Sequence, residues 1–325
     1  MNKYEIVIYK KLLRAIENKI GERSNIVDVL SDYLYISKEA VEKRLSRQIP
    51  FTFGEISEIA TQLNISIDSI LHSSLMKSRP FEAKYTNMYD PQEVDYAMQM
   101  EYLDVIKTAK QARYSEYGVS TNALPLQFMI RFENIYKLYM LKWIHQFKDE
   151  EDDIKPFNEI EISPKTHEIN EYFVTQVEYI KNTFFVWNEL LICYLVQDVQ
   201  YFYRMGLMTL TDKILLKDEI NRLIDYLELL TESDKYSSGN TLHIYLSNLT
   251  VETNYSYIEI DDFKLTMMKI GSFNEAASFD KEVYAKTKRW IDSFRQNSIL
   301  ISGANSSFRK EFFDNQRQTT KLLIK

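Results

Sequence analysis

Four short helical segments, at about 25–34, 37–48, 52–63 and 66–73, follow one another with almost no spare chain between them. Helices this short are marginal in water, so a run of them must close on a shared core. Each carries a local signal. Ser37 precedes KEAVEKRL and can cap one helix, while Thr52 with Glu55 three residues on forms a capping box for the next. Asn64 stands where a helix often ends in a left-handed residue, and Ser66 opens the following segment. Ahead of them, residues 4–19 repeat Ile6, Tyr9, Leu12, Leu13 and Ile16 at three- and four-residue steps until Gly21, which predicts an amphipathic helix. Residues 1–80 therefore read as a five-helix domain.

Beyond it, KSRPFEAKYTNMYDP (77–91) reads as a linker, and Pro91 as the opening of a helix to about Tyr114 with Val94, Met98, Tyr102, Val105, Ile106 and Ala109 on one stripe. That stripe can pack on its own body or on a second copy. LPLQFMIRFENIYKLYMLKWIHQF (124–147) is apolar on most faces, as a helix buried in a bundle would be. The acidic run KDEEDDIKP (148–156) predicts a solvated loop, since it lacks the spaced ligands and glycine of a calcium loop. Further helices are expected at about 165–182, 183–205 and 215–232. After TESDKYSSGN (231–240), LHIYL, LTVET, YSYIEI and FKLTMMKI alternate in a manner that predicts antiparallel hairpins. Helical segments at about 279–296 and 305–323 flank SILISG, one more expected strand. With 7 Gly and 6 Pro in 325 residues, long helices are left mostly unbroken. The expected fold is mainly α: a head at 1–80, a helical bundle at 81–235 and a small α+β domain with antiparallel hairpins at 236–325.

Residues 26–71, IVDVLSDYLYISKEAVEKRLSRQIPFTFGEISEIATQLNISIDSIL, resemble the lambda-repressor-like, or Xre-type, helix-turn-helix family. IATQLNISIDSIL (59–71) matches the family's closing pattern, and LSDYLYISKEAVEKRL (30–45) its DNA-reading part, with Ser31 as the small residue where two helices cross and Ile36, Val41 and Leu45 as buried contacts. The likeness covers about 50 of the 325 residues. Two positions depart from the family. Tyr35 occupies the turn position where glycine is usual, which demands either a left-handed tyrosine or a different turn. Arg44-Leu45-Ser46-Arg47 replaces the run that usually follows the recognition helix.

The resemblance implies a DNA-binding transcriptional regulator that is not an enzyme and needs no cofactor or metal. Its implied partner is double-stranded DNA, read as a homodimer. With Val41 and Leu45 inward, Lys38, Glu39, Glu42 and Lys43 would face the base edges, where Lys can donate to guanine and Glu can accept from cytosine, and Ser37 at the helix start is counted with the DNA-binding set. Arg44, Arg47 and Gln48 lie later and suit phosphate oxygens. The later regions would serve oligomerisation or the sensing of an effector. A protein-interaction adaptor with a weak DNA-binding head is the alternative.

Charge is compatible with this reading: residues 1–80 hold 12 Lys+Arg against 10 Asp+Glu, or +2, within a chain of net −7. Cys193, the only cysteine, sits in the apolar run ELLICYLV and is expected to be buried and inert, so a reducing cytoplasm fits. No stretch approaches the roughly 20 apolar residues that span a bilayer. His72, His145, His167 and His243 lack metal-ligand spacing. Ser302-Gly303-Ala304-Asn305 offers a strand-to-helix turn that could receive an anion, but an ordinary turn capped by Asn305 or Ser306 is the favoured account.

Overall fold

The computed structural model describes residues 3–21, 23–67, 70–71, 81–87, 90–147, 154–271, 273–303 and 306–324. Two compact units emerge, Met1–Pro80 and Phe81–Lys325.

In the first unit, α1 (Lys3–Ile20), α2 (Arg23–Leu34), α3 (Lys38–Leu45) and α4 (Phe53–Gln62) enclose one core of Tyr9, Leu12, Ile16, Ile26, Leu30, Val41, Phe51, Ile59 and their neighbours. Ser37 caps α3 by accepting from the Ala40 N–H, and Thr52 and Glu55 close both halves of the capping box on α4. Ile65 and Ile70 complete the core; of the segment expected at 66–73, residues 66–67 and 70–71 are described and the others lie outside the described residues.

The second unit corrects the expected fold class. It is not a helical bundle joined to a small hairpin domain but one α/β layer structure on an eight-stranded mixed sheet, ordered β1-β7-β6-β5-β2-β3-β4-β8. The strands are β1 (Glu82–Lys84), β2 (Ser115–Thr121), β3 (Asn182–Asn188), β4 (Thr241–Ser247), β5 (Tyr255–Ile260), β6 (Phe263–Ile270), β7 (Asn274–Ser278) and β8 (Ile299–Leu300). β2, β3 and β4 run parallel, and the remaining pairings are antiparallel. The central strands thus come from both segments that the sequence assigned to separate domains.

Parallel neighbours require crossover connections, and these are helical. α6 (Leu126–Met129), α7 (Glu133–Phe147) and α8 (Pro164–Val177) join β2 to β3; α9 (Leu191–Arg204) and α10 (Leu210–Ser233) join β3 to β4. The helix opened after Pro91, α5 (Glu93–Lys107), ends earlier than expected and buries Tyr96 and Leu103 with Ile169 of α8. The large core, around Phe128, Tyr136, Phe185, Trp187, Leu216 and Ile244, lies between the β2–β4 part of the sheet and α7, α9, α10 and α12 (Ser306–Thr320). α5 and α8 cover β5–β7 on that face through Ile106, Val177, Ile258 and Met267. Residues of opposite strand parity, Phe184, Val186 and Tyr257, pack instead with Tyr284 and Ile291 of α11 (Lys281–Gln296). Cys193 is half-buried rather than buried.

Candidate nucleic-acid interface

In the first unit the turn between α2 and α3 is closed from both sides. The Ile36 N–H donates to the Ser31 carbonyl at 3.3 Å, and the Ser31 hydroxyl donates to the Ile36 carbonyl at 2.6 Å. The small residue at position 31 therefore ties the turn as well as leaving room for it. Tyr35 takes the left-handed option, with φ +52°, and the residue is 94% exposed. A non-glycine residue pays roughly 1–2 kcal/mol there, whereas glycine loses roughly 0.5–1 kcal/mol through its looser unfolded chain. Tyr35→Gly is expected to raise the stability of the first unit by about 0.5 kcal/mol in urea titration; a loss would show that the ring makes a compensating contact.

The third helix divides as its spacing predicts: Val41 is fully buried, Ile36 and Leu45 flank the same core, and Lys38, Glu39 and Glu42 are exposed. Lys38 pairs with Asp28 of α2 at 2.6 Å, and Lys43 pairs with Glu39 at 2.7 Å, so the outer face holds balanced charge. Asp28 raises the ammonium pKa of Lys38, and Lys43 lowers the carboxyl pKa of Glu39. All four side chains are solvent-exposed, and such pairs contribute little and are readily exchanged.

Arg44 is placed differently from Arg47 and Gln48. Its Nε and Nη2 donate to the two oxygens of Glu55 at 3.0 and 2.6 Å, and its Nη1 donates to the Ala40 carbonyl at 3.1 Å. With side-chain exposures of 14% and 16%, the pair locks α3 to the start of α4, and Arg44 holds the Glu55 carboxyl below its usual pKa. Tyr9 of α1 adds a further tie, donating to the Arg44 carbonyl at 2.9 Å and accepting from the Phe51 N–H at 3.3 Å. Arg47 has φ +64° and stands exposed beside Gln48, with no ion pair among the described residues. Ser37 is occupied as the α3 cap.

Other sequence candidates are absorbed into structure. His145 Nε2 lies 2.9 Å from the Tyr201 hydroxyl, while His72 lies outside the described residues, as does the acidic run 148–153. Among the described residues no group of His, Cys, Asp and Glu could hold a metal ion, and no helix is long and apolar enough to cross a membrane. At the strand-to-helix turn, the Ser302 hydroxyl accepts from the Ile244 N–H and the Gly303 N–H donates to the Thr231 carbonyl; Ala304 and Asn305 lie outside the described residues.

One cluster escaped the sequence reading. Lys288 of α11 bridges Glu116 of β2 at 2.7 Å and Glu259 of β5 at 2.8 Å, while the Tyr257 hydroxyl donates to Glu116 and the Tyr284 hydroxyl to Glu259. Two local signals existed, Tyr257 and Glu259 two apart on a strand and Tyr284 and Lys288 four apart on a helix. Glu116 belongs to a strand that the sequence did not mark.

Comparison of the chain with protein-family models, curated proteins and solved structures finds no match.

Proposed function

We propose that the protein is a sequence-specific DNA-binding regulator that lays α3 in the major groove. The observation that carries this reading is the closed α2–α3 turn, which fixes a short helix with Lys38, Glu39 and Glu42 on its exposed side. Lys43 lies on the edge of that face, and Arg47 and Gln48 extend it toward phosphate. Arg44 acts as a positioning residue through Glu55. As a homodimer the protein would read half-sites about 34 Å apart, and the second unit would carry association or effector sensing.

Selection of bound sequences from a random duplex pool by the full-length protein tests the reading. A shared motif is expected, and no enrichment over the starting pool sinks the proposal. On the selected site, Lys43→Ala should alter base preference. Arg47→Ala should weaken binding to all sequences and lower the salt slope by about 1. Asp28→Asn, by freeing Lys38, should tighten binding.

The balanced Lys38–Asp28 and Lys43–Glu39 pairs favour a second reading, a protein-interaction adaptor. It would yield neither a selected motif nor the steep salt dependence of phosphate contacts.

A further inference from the structure

Glu275 of β7 is a carboxylate without a cation in direct contact. Its neighbours across the sheet are both lysines, Lys84 of β1 and Lys269 of β6, and residues opposed in this way share a face. Neither is paired with it. The Lys84 ammonium binds Glu101 of α5 at 2.7 Å and stands 4.7 Å from the centroid of the Tyr102 ring. The Lys269 ammonium lies over the Tyr139 ring of α7, 5.7 Å from its centroid. Among the described residues the half-buried Glu275 carboxylate makes no ion pair and no hydrogen bond. Burial raises its pKa against the pull of Lys269, and lowers that of the Lys269 ammonium to about 8. A carboxylate withdrawn from water and left without a contact is costly, and such groups gather at binding sites.

Glu275 lines a cavity of about 160 Å³ between the sheet and α5, α6, α7 and α8. The wall is otherwise mainly apolar, and Tyr102, Tyr117, Tyr136, Phe173 and Phe273 bring aromatic rings to it. An apolar cavity of about 150 Å³ holds benzene, so this space takes one six-membered ring and is too small for a nucleotide. Aromatic walls suit a cation as well as an apolar body, because the ring faces are electron-rich.

Charge narrows the ligand further. Burial raises the pKa of the Tyr102 and Tyr117 hydroxyls, and the charges that raise it more are carboxylates: Glu275 at both, with Glu101 and Glu82 also at Tyr102. The wall's lysine, Lys84, is already neutralised by Glu101. An anion entering here would meet like charge. An ammonium would supply Glu275 with the direct contact that neither flanking lysine makes.

We propose that this cavity is a binding site for a small monocationic amine, whose apolar body, up to one six-membered ring, fills the aromatic space and whose ammonium pairs with Glu275. The site belongs wholly to the second unit and does not depend on what the first unit binds.

The test is calorimetric titration of the full-length protein with cyclohexylamine, its neutral isostere cyclohexanol and the anion cyclohexanecarboxylate, alongside Glu275→Gln and the cavity-filling Ile258→Phe. Cyclohexylamine is expected to bind saturably at one per chain with a millimolar or tighter constant, cyclohexanol at least about tenfold more weakly, and the carboxylate not at all. Glu275→Gln, which removes a poorly solvated charge and keeps the shape, should weaken the amine about tenfold and leave cyclohexanol nearly unchanged. Ile258→Phe should abolish binding of both; if it fails to fold, Glu275→Gln decides alone. Absence of saturable amine binding, cyclohexanol or the carboxylate binding as tightly as the amine, an unchanged amine constant in Glu275→Gln, or amine binding retained by a folded Ile258→Phe would each overturn the proposal.

Discussion

Replacing Lys288 with Met is expected to cost the second unit about 3 kcal/mol in urea denaturation, the lower end of the range for removing one partner of a buried ion pair. The side chains of Lys288, Glu116 and Glu259 are 26%, 15% and 14% exposed, so neither carboxylate would regain full hydration once the ammonium is gone. Lys264, 3.1 Å from Glu259, is the remaining cation in contact with that group, whereas Glu116 would keep the uncharged hydroxyls of Tyr257 and Tyr114. A loss below about 1 kcal/mol would place the network with ordinary surface pairs.

The pH dependence gives the same prediction a second readout. Burial pushes the Glu116 and Glu259 carboxyls up, but Lys288 and the tyrosine hydroxyls outweigh it and hold both below the usual 4.5. Their contribution is therefore present above that value and is lost as pH falls through the lower folded pKa. For Lys288, burial pulls the ammonium pKa down, yet the two carboxylates outweigh it and push the pKa above the usual 10.5. Its contribution is full below that pH and lost on going higher. In Lys288→Met, burial acts on the carboxyls with its chief counterweight gone, above all at Glu116, so their pKa rises and mild acid begins to neutralise them. The stability gap between variant and parent should accordingly narrow from pH 7 toward pH 5. A constant gap would mean that the loss comes from packing of the lysine stem.

The contrast between the two units shows which features could be read from the sequence. Local chemistry announced the first: Ser37 and Thr52 act within four residues of themselves, and the Val41 position follows from helical spacing. The second depends on pairings at long sequence separation. β3 is buried along nearly its whole length, so NTFFVWN shows no alternation and by its sequence is indistinguishable from the start of the helix that follows it. β2 has Ser, Gly and Thr among its residues and only one aliphatic, Val119, so it carries no hydrophobic pattern. LTVET, expected as a strand, is the connection after β4, and the linker reading of 77–91 hid β1. The β5–β6 hairpin was legible because both strands alternate, and Asp261 at its turn adopts φ +47°. At the candidate interface, spacing located the outward residues of α3 but could not foresee that Glu55, eleven residues away, engages Arg44.

Gly118→Ala is expected to destabilise the second unit by roughly 2–3 kcal/mol, although its backbone conformation is ordinary and an alanine is small. Gly118 sits mid-strand in β2, opposite Tyr257 of β5 and Phe184 of β3. A methyl group there would lie 2.5 Å from Tyr257 Cε1 and 2.7 Å from Phe184 Cζ. Neither ring can easily retreat. Tyr257 is fully buried and its hydroxyl is fixed to Glu116, while Phe184 is wedged between Tyr245 and Tyr257 under the Arg295 guanidinium. Gly54→Ala is the matched control: nothing lies within 4 Å of the added methyl, and the position is helical. It should be neutral or stabilise by up to about 1 kcal/mol. Because moving Tyr257 also disturbs its bond to Glu116, Gly118→Ala and Lys288→Met should be non-additive, the double variant losing less than the sum of the single losses. Strict additivity would show that the ring shifts without breaking that bond, and that Gly118 serves packing alone.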